Sequence, residues 1–137
     1  MSRENGDFRV FPYSVFFHPP APVIPAVISS LEDPTRSITR EGKVDCGADI
    51  TTVPMPIIEA LDLTPAREVL AIGFNNTEAL RLTYYVNLHL AGYDFSPIEI
   101  MSSAGNDFLI GRDILNEWVL VLDGKKGILK IEAGESL

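Results

Sequence analysis

The feature that most constrains the fold is a strict alternation of apolar and polar residues between positions 80 and 90. Six apolar side chains recur there at a period of two: Leu80, Leu82, Tyr84, Val86, Leu88 and Leu90. This period predicts a long strand with one buried face. The remaining apolar segments are short and separated by proline, glycine or asparagine, which leaves room for only one or two brief helices. The sequence therefore predicts an all-β fold.

The other elements follow from the same kind of pattern. Short apolar segments predict strands at 23–28, 69–74, 95–101 and 108–110, and a C-terminal hairpin from 119–122 and 128–131. A polar stretch at 29–42 predicts a hairpin loop, and 54–61 and 114–118 predict short helical turns. The proline-rich residues 1–20 predict an extended N-terminal arm, which precedes a single domain at 21–137.

Composition narrows the classes of function. The chain has 137 residues, a hydrophobic fraction of 46% and a net charge of −8, which indicate one folded, acidic domain. Its negative charge disfavours nucleic acid as a partner. One cysteine and two histidines predict neither a disulfide nor a metal site, and no cofactor motif is present. Without a signal peptide or an apolar run of about 20 residues, we expect a cytoplasmic protein that does not bind membranes.

A glycine turn at Asp45 is the strongest candidate for a reactive site. Positions 44–49 read VDCGAD and lie between two apolar, strand-like stretches. Apolar neighbours limit the hydration of the Asp45 carboxyl group, which suits it to acid–base chemistry. Gly47 lets the main chain approach that carboxylate and donate an amide hydrogen to it. The small side chain of Ala48 leaves space for a substrate above the turn.

A second block, DFLIGRDIL at positions 107–115, follows about sixty residues later. Together the two blocks resemble the retropepsin-like aspartic proteases, whose signature joins Asp-Thr/Ser-Gly-Ala to two apolar residues and Gly-Arg-Asp/Asn. The resemblance spans about Val23 to Ile131. It implies a retropepsin-like acid protease fold with one lobe per chain, and an aspartic endopeptidase that acts on peptides or proteins without a cofactor.

The number of aspartate loops determines the predicted assembly. Peptide hydrolysis by carboxylates needs two of them sharing a proton, so that one deprotonates a water while the other protonates the carbonyl oxygen. This chain carries only one Asp-x-Gly loop of the required kind. The second carboxylate must therefore come from a symmetric copy, and we expect a C2 homodimer with the catalytic Asp45 of each chain facing its twin.

The resemblance also implies that Asp49 pairs with Arg112. A guanidinium fork can hold the carboxylate bidentately and lock the loop onto the following helix. An arginine at a helix N-terminus opposes the helix dipole, which also favours a carboxylate partner, and Asp113 is expected to cap that helix. The residues predicted to support the active-site loop are Cys46, Gly47, Ala48, Asp49 and Arg112.

Cys46 departs from the family signature, which carries a hydroxyl residue at this position. A thiol is a weak donor and a weak acceptor, so the hydrogen bonds that tie the two loops together across the twofold axis should be looser here. Three interpretations stay open. Cys46 is a tolerated small residue, or it makes the dimer redox-sensitive, or it marks a catalytically weak module that binds peptides without cutting them.

The turn at 73–76 occupies the place of the family's flap, a hairpin that closes over bound peptide and grips it through backbone hydrogen bonds. Apolar residues near this turn and near the two blocks are predicted to line substrate pockets. The residues expected to bind substrate are Ile72, Gly73, Phe74 and Ile110, with Ile50 and Val53 as further pocket residues.

Overall fold

The computed structural model describes residues 8–73 and 75–132, which form ten strands and two short helices. The strands are β1 (Phe8–Pro12), β2 (Val23–Ser30), β3 (Ser37–Val44), β4 (Thr52–Pro54), β5 (Arg67–Ile72), β6 (Glu78–Leu90), β7 (Tyr93–Ser103), β8 (Leu109–Ile110), β9 (Val119–Asp123) and β10 (Ile128–Glu132). The helices are α1 (Met55–Ala60) and α2 (Arg112–Leu115). Neither of these helices is long and apolar enough to cross a bilayer. The predicted all-β class is confirmed.

Six of the strands close into a barrel. Their order is β2-β3-β8-β4-β7-β6, and β6 pairs back onto β2. Strand β8 lies between β3, to which it is parallel, and β4, to which it is antiparallel. Because β3 ends and β4 begins at the two sides of the Asp45 loop, this arrangement brings the second sequence block against the first.

The alternation in β6 builds much of the core. Tyr84, Val86, Leu88 and Leu90 are each no more than 2% exposed, as the period of two predicted. Leu80 and Leu82 continue the pattern but are 64% and 37% exposed. The difference arises because β6 extends beyond the barrel, where residues 78–82 pair only with β5. The β5–β6 hairpin therefore projects from the barrel with an uncovered apolar face.

The C-terminal hairpin belongs to a second, three-stranded sheet. The predicted hairpin strands are confirmed as β9 and β10, and β1 pairs antiparallel with β10 on the other side. Residues 8–12, predicted to be part of an extended arm, thus form a sheet strand, and Phe11 packs against the core. Leu129 and Ile131 of β10 are fully buried and connect this sheet to the barrel core.

The polar stretch at 29–42 is not a long loop, so that prediction was wrong. Strand β2 continues to Ser30, and β3 starts at Ser37, which leaves only 31–36 as the turn. Most side chains in the first half of β3 face solvent, so a polar sequence is compatible with a strand there. The helical turn expected within 54–61 is confirmed as α1.

Candidate active site

The Asp45 loop connects β3 to β4 and is held in place by the main chain. The amide of Asp45 donates to the carbonyl oxygen of Ile110 at 3.0 Å, and the amide of Ala48 donates to the carbonyl oxygen of Asp45 at 3.2 Å. The Oδ1 atom of Asp45 accepts from the Gly47 amide at 2.9 Å, as predicted for a glycine in this turn. The half-buried carboxyl group of Asp45 is therefore oriented by the backbone at the end of a barrel strand.

Arg112 connects both ends of this loop. Its Nη2 atom pairs with Oδ1 of Asp49, as expected, while Nη1 donates to the carbonyl oxygen of Cys46 at 2.6 Å. The predicted bidentate interaction with Asp49 is therefore not formed. One terminal nitrogen of Arg112 binds Asp49 and the other binds the Cys46 carbonyl oxygen, which lies within reach of it. The side chains of Arg112 and Asp49 are 43% and 86% exposed, so their ion pair is worth at most about 1 kcal/mol.

Thr51 and Asp113 form a second connection that the sequence reasoning missed. The amide and the hydroxyl of Thr51 donate to the two carboxylate oxygens of Asp113, at 3.1 and 2.8 Å. The same hydroxyl accepts from the amide of Gly111 at 3.1 Å. Asp113 is not the N-cap residue, because α2 begins at Arg112 with Gly111 as its cap residue, two positions before the expected cap. As expected, its Oδ1 atom accepts from a first-turn amide, that of Ile114 at 3.0 Å. The Asp113 carboxylate also fastens the active-site loop to the helix.

Gly111 is required at this junction by close backbone contact. A Cβ atom there would lie 2.8 Å from the carbonyl carbon of Ile50 and 2.9 Å from the carbonyl oxygen of Ala48. The amide of the next residue, Arg112, donates to that same Ala48 oxygen at 2.9 Å. Only glycine lets the two main chains approach so closely.

A groove of about 470 Å³ opens beside the loop. Its walls are residues 47–50 of the loop, residues 69–72 of the β5–β6 hairpin, and Thr52 and Met101. The Ile72 side chain is 65% exposed and that of Leu70 is 55% exposed, so the hairpin presents apolar surface to anything bound in the groove. Hydrophobic walls with a few polar groups are typical of ligand-binding clefts.

The carboxylate of Glu99 fixes the direction in which the β5–β6 hairpin leaves the barrel. Glu99 of β7 accepts from the Arg67 guanidinium of β5 at 2.6 Å and from the Thr83 hydroxyl of β6 at 2.6 Å. These hydrogen bonds hold the pKa of Glu99 below its ordinary value, and the bond from Arg67 has the larger effect. The three strands β5, β6 and β7 are thereby joined where the hairpin leaves the barrel.

The predicted pocket residues divide into two groups. Ile50 and Ile72 line the groove, and Gly73 lies at the exposed end of β5, where its amide donates to the Thr77 carbonyl at 2.8 Å. Phe74 lies outside the described residues.

The prediction that Ile110 and Val53 line a pocket was wrong, because both are core side chains with exposures of 0% and 1%. Ile110 lies in β8, which has barrel strands on both sides.

Cys46 is an exposed, free thiol at the position where the signature has a hydroxyl. Cys46 forms a hydrogen bond through its backbone carbonyl oxygen, which accepts from Arg112. This interaction would be available to any residue at position 46.

Within residues 8–73 and 75–132, no three His, Cys, Asp or Glu side chains are grouped so that they could hold a metal ion.

Two of the solved structures that are similar to this chain are aspartic proteases. A retropepsin-like aspartic protease from Rickettsia conorii matches with a TM-score of 0.59 and 17% identity, and the match covers 91% of this chain and 89% of that one. EIAV protease complexed with the inhibitor HBY-793 matches with a TM-score of 0.53 and 18% identity, over 70% of this chain and 86% of that one. No protein-family model and no curated protein sequence matches the chain. The chain therefore has the retropepsin-like fold that its two sequence blocks predicted.

Proposed function

We propose that this chain is an aspartic endopeptidase whose active site is completed by a second copy of itself. The observation that carries the proposal is the loop that presents Asp45. A backbone-oriented carboxyl group lies at the end of a barrel strand, on a loop fastened by Arg112 and Asp113, beside an apolar groove. The same fold occurs in both aspartic proteases described above.

The proposed reaction uses the Asp45 carboxyl groups of both copies. Like charges roughly 3 Å apart do not both ionise, so the pair holds one proton between them. The ionised carboxylate takes a proton from a bound water, whose oxygen attacks the scissile carbonyl carbon. The protonated carboxyl group gives its proton to the carbonyl oxygen. The carboxyl group that took the proton from water then passes it to the leaving nitrogen, while the other carboxylate takes a proton back from a hydroxyl of the tetrahedral intermediate. The C–N bond breaks in this step, with no covalent enzyme intermediate.

The test is digestion of a diverse peptide pool by the purified chain, with Asp45→Asn assayed beside it. We expect the wild-type chain to generate new peptide ends in mass spectra, and Asp45→Asn to generate none. Asp62→Asn is the matched control, because it makes the same chemical change at an exposed residue after α1 and should cut normally. Equal cleavage by Asp45→Asn would refute the proposal.

A peptide-binding module that does not cut its ligand is the second candidate, and the observation that favours it is the exposed thiol of Cys46 in place of a hydroxyl. Peptides that stay bound but intact in the same assay would support this alternative. Running the digestion with and without reductant tests whether oxidation of Cys46 controls cleavage. Cleavage seen only with reductant would identify Cys46 as a redox switch.

Dimerisation should depend on salt and on pH. Each chain carries a net charge of −8, so a dimer brings −16 together. We expect the dimer dissociation constant, measured by sedimentation, to fall several-fold between about 0.05 and 0.5 M NaCl, because salt screens the repulsion. Mildly acidic pH should act in the same direction by protonating carboxylates. An equally tight or tighter dimer at about pH 8 in low salt would contradict this expectation.

A further inference from the structure

Thr52 differs from the other buried threonines because its hydroxyl has no partner. Thr51 and Thr83 are fully buried, and each donates its hydroxyl to a carboxylate, Thr51 to Asp113 at 2.8 Å and Thr83 to Glu99 at 2.6 Å. Thr52 is only 8% exposed, yet within the described part of the chain its Oγ1 atom has no hydrogen-bond partner. A buried hydroxyl without a hydrogen bond destabilises the folded state, so natural proteins contain few of them.

The position of Thr52 suggests what the hydroxyl is for. Side chains alternate along β4, so Val53 points into the core while Thr52 forms part of the groove wall. Valine has nearly the same shape as threonine and would fill this position without an unpaired oxygen. Rotation about the Cα–Cβ bond moves the hydroxyl among three staggered positions. In the rotamer of the structure the Oγ1 atom is itself buried, so a group bound in the groove meets the unpaired hydroxyl after such a rotation.

We propose that the Thr52 hydroxyl selects peptides that place a short, uncharged, hydrogen-bonding side chain (Ser, Thr or Asn) in this part of the groove. The inference rests on the proposed peptide site. A side chain of this class supplies the missing partner, whereas Ala or Val leaves the hydroxyl unpaired. Binding sites with a buried hydrogen-bonding group discriminate against ligands that lack the matching group.

The surroundings of the groove disfavour charged side chains. Asp49 lies in the groove wall, and Asp45 lies at the start of the same loop, so an acidic side chain would meet like charge. The ion pair with Arg112 offsets the charge of Asp49, so the repulsion comes from the Asp45 carboxylate and from the net charge of −8 on the chain. A basic side chain would lose its hydration against the apolar walls formed by residues such as Ile50 and Leu70. An uncharged polar group avoids both costs.

The test measures binding rather than cleavage. The Asp45→Asn chain is used to capture peptides from a pool with one randomised position, and the bound peptides are sequenced. We expect about tenfold enrichment of Ser, Thr and Asn over Ala and Val. Adding Thr52→Val should abolish this enrichment and favour aliphatic residues, while Thr52→Ser should keep it. The exposed Thr39→Val on β3 serves as the matched control and should change nothing.

The fold of each variant is checked by thermal unfolding. Thr52→Val should unfold at the same temperature as the parent or higher, because it removes an unpaired hydroxyl. A lower unfolding temperature, unchanged peptide preference in Thr52→Val, or no peptide binding at all would each overturn the inference. Cleavage that requires Asp45 but ignores Thr52 would refute only the inference. Enrichment that depends on Thr52 without any cleavage would refute only the endopeptidase.

Discussion

Asp45→Asn is expected to reduce peptide cleavage by roughly 10³-fold or more and also to inhibit the wild-type chain when the two are mixed. The amide of asparagine can neither accept the proton of the attacking water nor share a proton with its twin. A dimer with one Asp45 and one asparagine is therefore inactive. At constant total protein, about a ninefold excess of the variant leaves only about one dimer in a hundred with two aspartates.

The mixing experiment distinguishes a shared site from a site within one chain. The two proteins are preincubated above the dimer dissociation constant until subunits have exchanged, and initial rates are then compared. We expect activity to fall with the square of the wild-type fraction. A linear fall, to about one tenth at that ratio, would show that each chain works alone. Mixing with Asp62→Asn should leave the rate unchanged and controls for dilution.

The parts of the site that the sequence predicted depend on local chemistry. Gly47 donates to Asp45 because the two residues lie in one turn, where geometry follows from residue type and spacing. The pairing of Asp49 with Arg112 connects distant residues, but it was implied by a family signature that contains both blocks. Local turn chemistry and a two-block signature were therefore enough to locate the candidate site.

The features that escaped prediction depend on how strands meet. The hydrogen bonds of Thr51 to Asp113 exist only because β8 lies between β3 and β4, and a single sequence does not give that order. Ile110 was placed in a pocket because its segment is apolar, yet a short strand in the middle of a barrel buries its side chains. Leu80 shows the reverse error, since its strand continues beyond the barrel and leaves it exposed.

Gly111→Ala is expected to lower the free energy of unfolding by about 2 to 3 kcal/mol. The added Cβ would lie 2.8 to 2.9 Å from backbone atoms of Ile50 and Ala48, which cannot rotate away as a side chain could. The φ angle of Gly111 is −92°, which alanine adopts freely, so the effect is purely steric. Relief of the clash requires the Asp45 loop to move away from α2.

That movement should also misplace the carboxyl group, so we expect Gly111→Ala to lose activity by about 10²-fold even where it remains folded. Gly124→Ala is the matched control, because the nearest atom to its added Cβ is the Tyr13 hydroxyl at 4.0 Å. It should unfold within about 0.5 kcal/mol of the wild type and cleave normally. Chemical denaturation and cleavage rates measured on the same preparations provide both values. A stable, fully active Gly111→Ala chain would mean that the loop does not need its close contact with α2 to position Asp45.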